Sequence, residues 1–219
     1  DTHLTTAYDI ALMSRALLQH DEIKQYTTIW MDTVRNGQFG LSNTNKLVRF
    51  YDGTTGLKTG YTSQAGYCLS ASAERGGMEL IAVVMHCKSS VDRFESAKAL
   101  LNYGFSTWSL VTVTPDEVLP PVPVTLGVRG TVQPVLTSEN TLLVEKTLAN
   151  GLTKEVALAE NVAAPVYAGD TLGQLTVRDA AGNTVAELPI LAGEDVGHVT
   201  FVQMLGRCLA RGFCMGPQS

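Results

Sequence analysis

Asp52-Gly53-Thr54-Thr55-Gly56-Leu57-Lys58-Thr59-Gly60-Tyr61-Thr62 decides the fold, together with the two apolar runs after it, Gly66 to Ala73 and Met78 to Cys87. Gly56 to Tyr61 reads as a strand entered from a glycine-rich turn. The two following runs meet at Arg75-Gly76-Gly77, a hairpin signal. Downstream, Ser89 or Ser90 opens a helix with Phe94, Ala97, Leu100, Leu101 and Phe105 on one face. Upstream, Thr5 or Thr6 caps a helix whose Ala7, Ile10, Ala11, Ser14, Leu17 and Leu18 repeat at helical spacing, with Asp9 favouring its positive end. Asp21 to Tyr26 forms a second short helical turn, and β-propensity rises through Thr27-Thr28-Ile29-Trp30. Asn36-Gly37 marks a turn, and Asn43 to Leu47 reads as a loop or a short helix. The first half is therefore an α/β or α+β layer, helices laid on an antiparallel sheet.

The pattern changes near Thr112. Thr114-Pro115 and Pro120-Pro121-Val122-Pro123 form a stiff extended segment, and helical periodicity stops. From Val122 to Ile190, short Val/Leu/Thr runs alternate with turns such as Asn150-Gly151 and Ala181-Gly182-Asn183, the spacing of a small all-β sandwich or barrel. After Gly193, Phe201, Met204, Leu205, Cys208, Leu209 and Phe213 recur at helical spacing, with Gln203, Arg207 and Arg211 opposite. This helix is too short to cross a bilayer. It lies either on its own domain or in a membrane interface. The expected divisions are 1–110, a linker at 111–121, a β-domain at 122–193 and an amphipathic tail at 194–219.

Composition excludes several classes. The chain has 219 residues, 45% hydrophobic and 17% charged, as in folded globular proteins. Residues 1–110 carry ten basic and ten acidic side chains, and the remainder six basic against eleven acidic, which supplies the net charge of -5. No Lys/Arg cluster exists to displace counterions from phosphates, so nucleic acid is not an expected partner. No Walker or Rossmann glycine pattern points to a nucleotide cofactor. Cys68, Cys87, Cys208 and Cys214 form no CxxC pair and have no His at zinc spacing, so no metal site and no cofactor is expected. Cys68 and Cys87 read as small hydrophobes in strands. His3, His20, His86 and His198 have no evident catalytic partners, and Asp21-Glu22 and Asp116-Glu117 read as solvated pairs.

Lys58-Thr59-Gly60 carries the chemistry. A Lys-Thr-Gly strand is an element of β-lactamases and penicillin-binding proteins. Its flanks extend the match: Asn43-Thr44-Asn45-Lys46-Leu47, Asp52 to Thr62, and Ala65-Gly66-Tyr67-Cys68-Leu69. With His3-Leu4-Thr5-Thr6-Ala7-Tyr8-Asp9, Arg93-Phe94-Glu95, the trailing β-domain and the terminal helix, the chain resembles the serine-type D-alanyl-D-alanine carboxypeptidases, the low-molecular-mass penicillin-binding proteins. The resemblance implies an α+β fold: part of a transpeptidase-like domain, then a β-sandwich and an amphipathic helix. It implies cleavage of the terminal D-Ala from peptidoglycan stem peptides ending in D-Ala-D-Ala through an acyl-enzyme that β-lactams trap. It also implies a place at the extracytoplasmic face of a bacterial membrane or in the periplasm, with contact to the membrane surface through the last helix.

The resemblance assigns roles by position. Lys58 places positive charge beside the nucleophile, and Thr59 holds the substrate's terminal carboxylate. Gly60 admits the substrate without a Cβ in its way. The backbone N–H of Tyr61 donates to the oxyanion hole, and Arg93 stands near the carboxylate. An edge strand of this kind can also pair with an extended peptide through main-chain bonds.

The departure from the family pattern is equally informative. The family acylates the serine of a Ser-x-x-Lys motif, and the sequence contains no Ser-x-x-Lys. Thr55-Gly56-Leu57-Lys58 has the spacing, but on the strand of Lys58 itself. Ser42-Asn43-Thr44-Asn45 puts Thr44 where the family's Ser-x-Asn needs its Asn. The expectation is a chain that begins inside the catalytic domain and is inactive as it stands, since covalent catalysis has no first step without a nucleophile. The alternatives are a non-catalytic cell-wall binding or scaffolding module, and a β-lactamase relative.

Overall fold

The computed structural model describes residues 4–214; within the last helix, the side chains of 207, 208 and 210–214 fall outside the description. His3 and the roles expected of Arg207, Cys208, Arg211, Phe213 and Cys214 lie outside the described residues and side chains. The chain divides into two compact units, residues 1–110 with 144–146, and residues 111–143 with 147–219.

In the first unit, α1 (Ala7–Leu18) starts at Thr6. The Asp9 N–H donates to Thr6 Oγ1 at 3.1 Å, and the Thr6 N–H donates to Asp9 Oδ2 at 2.9 Å, a reciprocal cap. α2 (Asp21–Thr27) follows. The strand expected from Thr27 does not begin there. Thr27 Oγ1 donates to Ile23 O at 3.1 Å and Thr28 Oγ1 to Lys24 O at 2.6 Å, so the hydroxyls close the helix and override β-propensity. The hairpin β1 (Met31–Val34) and β2 (Phe39–Ser42) turns at Arg35, Asn36 and Gly37, all with positive φ, and α3 (Leu47–Phe50) comes next.

Strands β3 (Thr54–Thr62), β4 (Gly66–Arg75) and β5 (Met78–Cys87) form an antiparallel sheet in that order, leaving β3 at an edge. The Gly76-Gly77 turn has φ of 56° and 79°, a left-handed geometry that glycine adopts freely. α4 (Ser90–Thr107) is capped by Ser89, whose Oγ accepts from the Asp92 N–H. Its Phe94, Ala97, Leu101 and Phe105 pack on Leu69, Ala71, Ala73, Ala82 and Val84 of the sheet, and Leu47 joins them. Leu100, expected on this face, is half exposed, because 94, 97, 101 and 105 already fill the stripe. A Cβ on Gly104 would come within 2.5 Å of Leu80 Cδ1, so this glycine lets the helix close on the sheet.

β6 (Trp108–Thr112) leads into the second unit, which contains β7 (Val122–Thr125), β8 (Thr131–Val132) and β9 (Pro134–Leu136). β10 (Thr141–Glu145) pairs with β6 and runs into a four-residue helix, α5 (Lys146–Ala149), which the sequence reading did not anticipate. β11 (Thr153–Leu158), β12 (Val162–Ala163), β13 (Thr171–Arg178) and β14 (Thr184–Ala192) follow. One sheet has the order β11-β13-β14-β9 and the other β12-β7-β8, with β12 parallel to β7. Val113 and Leu119, in the stretch expected as a linker, pack with Leu175, Val177 and Ile190 in the module's core. Val196 and Val199 are buried as well, so the module extends past Gly193. α6 (Phe201–Cys214) closes the described chain. The fold is α+β followed by a β-domain.

Candidate active site

Lys58, Thr59 and Gly60 lie on β3, whose one hydrogen-bonded neighbour in the sheet is β4. The pairing register sets Lys58 opposite Ser70, Gly60 opposite Cys68 and Tyr61 opposite Tyr67. Strand alternation sends Lys58 and Gly60 to one face and Thr59 and Tyr61 to the other. On the Lys58 face a cleft of about 330 Å³ opens against α1, with Ile10, Met13, Ser14 and Leu17 on its helical wall and Lys58, Gly60, Cys68 and Ser70 among its sheet residues. The buried hydroxyls of Ser14 and Ser70 meet at 2.7 Å and tie helix to sheet at its floor.

The Lys58 ammonium is exposed and donates to the Thr59 carbonyl at 2.8 Å. It makes no ion pair among the described residues, so its charge is available to a ligand in the cleft. Thr59 is buried, and its hydroxyl lies 2.7 Å from that of Thr44.

Thr44 is a site residue that the sequence reading missed. It is held by the two asparagines beside it. Asn43 donates to Thr27 O and Ile29 O at 3.2 and 3.0 Å and accepts from the Asn45 N–H. Asn45, fully buried, donates to Gly56 O at 3.0 Å and accepts from the Leu47 N–H at 3.2 Å. Two asparagines flanking a threonine before an apolar run were the available signal, since Asn side chains satisfy local backbone groups. The Ser-x-Asn spacing does occur once, at Ser138-Glu139-Asn140, but in the second unit, where Asn140 Nδ2 donates to Val113 O.

Tyr61 presents an exposed ring stacked on Tyr67, centroids 4.4 Å apart. Arg93 is not free in the cleft. It is 8% exposed, lies over Tyr67 and Phe94, and donates through Nη1 to Gly60 O at 3.3 Å and Cys68 O at 3.5 Å. Burial raises the Cys87 thiol above its usual range, helped by the Asp92 carboxylate. Cys68 and Cys87 are both unpaired thiols. His86, at the bulge near the end of β5, has φ of 55° and faces solvent, and His198, in the second unit, bonds the Val199 carbonyl.

Comparison with known proteins follows the same lines. The family model for D-alanyl-D-alanine carboxypeptidase matches residues 1–89, and that for the C-terminal domain of penicillin-binding protein 5 matches residues 111–198. The chain belongs to the low-molecular-mass penicillin-binding proteins. The D-alanyl-D-alanine carboxypeptidase DacF of Bacillus subtilis is 32% identical over 212 residues, covering 94% of this chain and 54% of the relative. DacC of Escherichia coli is 29% identical, covering 88% and 48%. Penicillin-binding protein 5 of Haemophilus influenzae superposes with a TM-score of 0.70 at 25% identity, covering 89% of this chain and 57% of that one. The chain thus spans about half the length of the curated relatives it matches. In this penicillin-binding protein the described residues contain the Lys-Thr-Gly strand and its supports, and the sequence has no Ser-x-x-Lys.

Proposed function

We propose that this chain supplies the Lys-Thr-Gly side of a D-alanyl-D-alanine carboxypeptidase cleft, acting on peptidoglycan stem peptides that end in D-Ala-D-Ala. The observation that carries the reading is a Lys-Thr-Gly strand at a free sheet edge, bordering an open cleft, with an ammonium that no carboxylate among the described residues neutralises. A carboxylate-bearing peptide laid antiparallel along β3 would meet main-chain groups from Thr59 to Tyr61. Lys58 would lower the energy of negative charge in the cleft; the Thr59 hydroxyl, buried on the opposite face and bonded to Thr44, would have to turn toward the edge to meet the terminal carboxylate. Tyr61 N–H would donate to the oxyanion formed when a serine attacks the D-Ala-D-Ala carbonyl. Such donors are worth ~3–4 kcal/mol in transition-state stabilisation. Expulsion of D-Ala and hydrolysis of the ester would complete the cycle, and β-lactams would arrest it at the ester.

These 219 residues contain no Ser-x-x-Lys, so they carry no acylation step by themselves. Fluorescent penicillin should leave the chain unlabelled, and should label a version extended upstream to include a Ser-x-x-Lys segment. Labelling of the 219-residue chain itself would overturn the assignment of roles.

The last helix favours a place at the extracytoplasmic membrane surface. Phe201, Val202, Met204, Leu205 and Leu209 are all exposed, so much of the apolar surface of this helix is open to a partner. Among the described residues no helix is long and apolar enough to cross a membrane. Sedimentation with anionic liposomes should carry the chain down, and should leave it in the supernatant once residues 201–219 are removed.

A further inference from the structure

Arg93 occupies an unusual place for a residue expected to touch substrate. Its Nη1 reaches the carbonyls of Gly60 and Cys68 together, and these two residues are direct partners across β3 and β4. Carbonyls on neighbouring strands approach one nitrogen this closely only when both point into the space between the strands, as in a closely hydrogen-bonded antiparallel pair. The Gly60 oxygen therefore points inward. The Gly60–Tyr61 peptide is trans, so the N–H on its other side, that of Tyr61, points off the free edge of the sheet. Arg93 thus donates to the oxygen of the same amide whose N–H points off the free edge of β3. The guanidinium carbon lies 5.4 Å from the centre of the Tyr67 ring and 4.9 Å from that of Phe94, and Nη2 donates to Ser90 Oγ at 3.4 Å. Its Nε is buried without a partner, which leaves the carbonyl contacts as the main polar hold on the group.

We propose that Arg93 is a positioning residue that acts through the Gly60 carbonyl to orient and strengthen the Tyr61 N–H as an oxyanion donor. The proposal rests on the carboxypeptidase reading of the cleft. A charged donor on a carbonyl draws electron density from the amide, which makes its N–H the stronger donor, and neighbouring hydrogen bonds reinforce one another in this way. The geometry also stops the Gly60–Tyr61 peptide plane from rotating when no substrate is bound. The carbonyl contacts are longer than the ~2.7–2.9 Å of the strongest charge-assisted bonds, so the effect is a tuning and not an all-or-none requirement.

Two measurements test this. In the 219-residue chain, amide NMR of Arg93→Gln should move the Tyr61 proton upfield and slow its base-catalysed exchange, because a less polarised N–H is less acidic. Arg93→Lys should restore part of both, and the amides of Ala71 and Ala82 should report the same fold in every variant. An unmoved Tyr61 amide in a folded Arg93→Gln chain refutes the proposal. In the version extended with a Ser-x-x-Lys segment, Arg93→Gln should slow acylation about tenfold, well short of the 10²–10³ lost with a whole donor. The loss should be equal for a penicillin and for its carboxyl-methylated ester. A loss confined to the free acid would reassign Arg93 to direct carboxylate contact and overturn the positioning role. Failure of the unsubstituted extended version to acylate would overturn the carboxypeptidase reading instead, and the Tyr61 amide would still decide what Arg93 does. Should Arg93→Gln unfold, the same comparisons are made with Arg93→Lys, where an unmoved Tyr61 amide and an unchanged acylation rate refute the proposal.

Discussion

Replacing Gly60 by alanine separates the demands of the fold from those of the cleft. A Cβ at this position meets only Cys68 Cβ, at 3.9 Å, which is ordinary contact, and Gly60 is not among the glycines with positive φ. The substitution also restricts the unfolded chain, so stability should hold or rise by up to ~1 kcal/mol. The added methyl projects onto the face of Lys58, Cys68 and Ser70, into the cleft of about 330 Å³. A peptide lying against the bare backbone of Gly60 would be held off by ~1 Å or more, and a misplacement of that size costs about 10²-fold in rate. Thermal unfolding of the 219-residue chain reads the first quantity, and the rate of labelling of the extended version by fluorescent penicillin reads the second. Gly104→Ala serves as the converse control, since its Cβ would press Leu80 Cδ1 at 2.5 Å, far from the Lys58 face. It should lower the melting temperature and leave the labelling rate of the folded fraction alone. A Gly60→Ala protein that stays folded and is labelled at the unsubstituted rate would refute the placement of substrate against Gly60.

Asn45→Ala should destabilise the first unit by about 2–4 kcal/mol, because it leaves the Gly56 carbonyl and the Leu47 N–H unpaired at a fully buried position; a shift in the urea midpoint indistinguishable from zero would mean that water replaces both bonds. The hydrogen bond to Glu79, reinforced by Glu74, holds the Lys24 ammonium above its ordinary range against the opposing effect of burial. A raised lysine pKa contributes stability that is full below ~10.4 and is lost as pH rises through the higher folded value, so the gap in urea midpoint between the unsubstituted chain and Lys24→Met, worth up to ~1 kcal/mol at pH 8, should close in strongly alkaline buffer. A gap that stays constant across that range would assign the Lys24 contribution to packing of its stem.

Much of this arrangement is legible in sequence, because the signals are local. Thr6 and Asp9 cap α1 through bonds three residues apart, Ser89 caps α4 in the same way, and Gly76-Gly77 supplies the left-handed turn between β4 and β5. Contacts that depend on tertiary register were not legible. Nothing in Thr27-Thr28 announces that the Thr27 hydroxyl will reach Thr55 O, twenty-eight residues on. Thr44 becomes a support for Thr59 only because Asn43 anchors its loop to Thr27 and Ile29, sixteen and fourteen residues back, and Asn45 anchors it to Gly56, eleven residues on.

Arg93 shows most plainly where pattern reading stops. Its position in the first turn of α4 places it near the Lys-Thr-Gly strand, and proximity alone suits a carboxylate ligand and a structural tie equally well. Which of the two it becomes depends on the Gly60–Cys68 register and on the rings of Tyr67 and Phe94 that hold the guanidinium over the strand pair. A one-residue slip between β3 and β4 would turn the Gly60 carbonyl outward and bring the Tyr61 N–H in, exchanging the two faces of the amide. The cleft's donor direction is therefore a property of sheet register. The hairpin turn at Thr62 to Gly66, closed by the Ala65 N–H on Thr62 Oγ1 at 2.9 Å, is what sets that register locally.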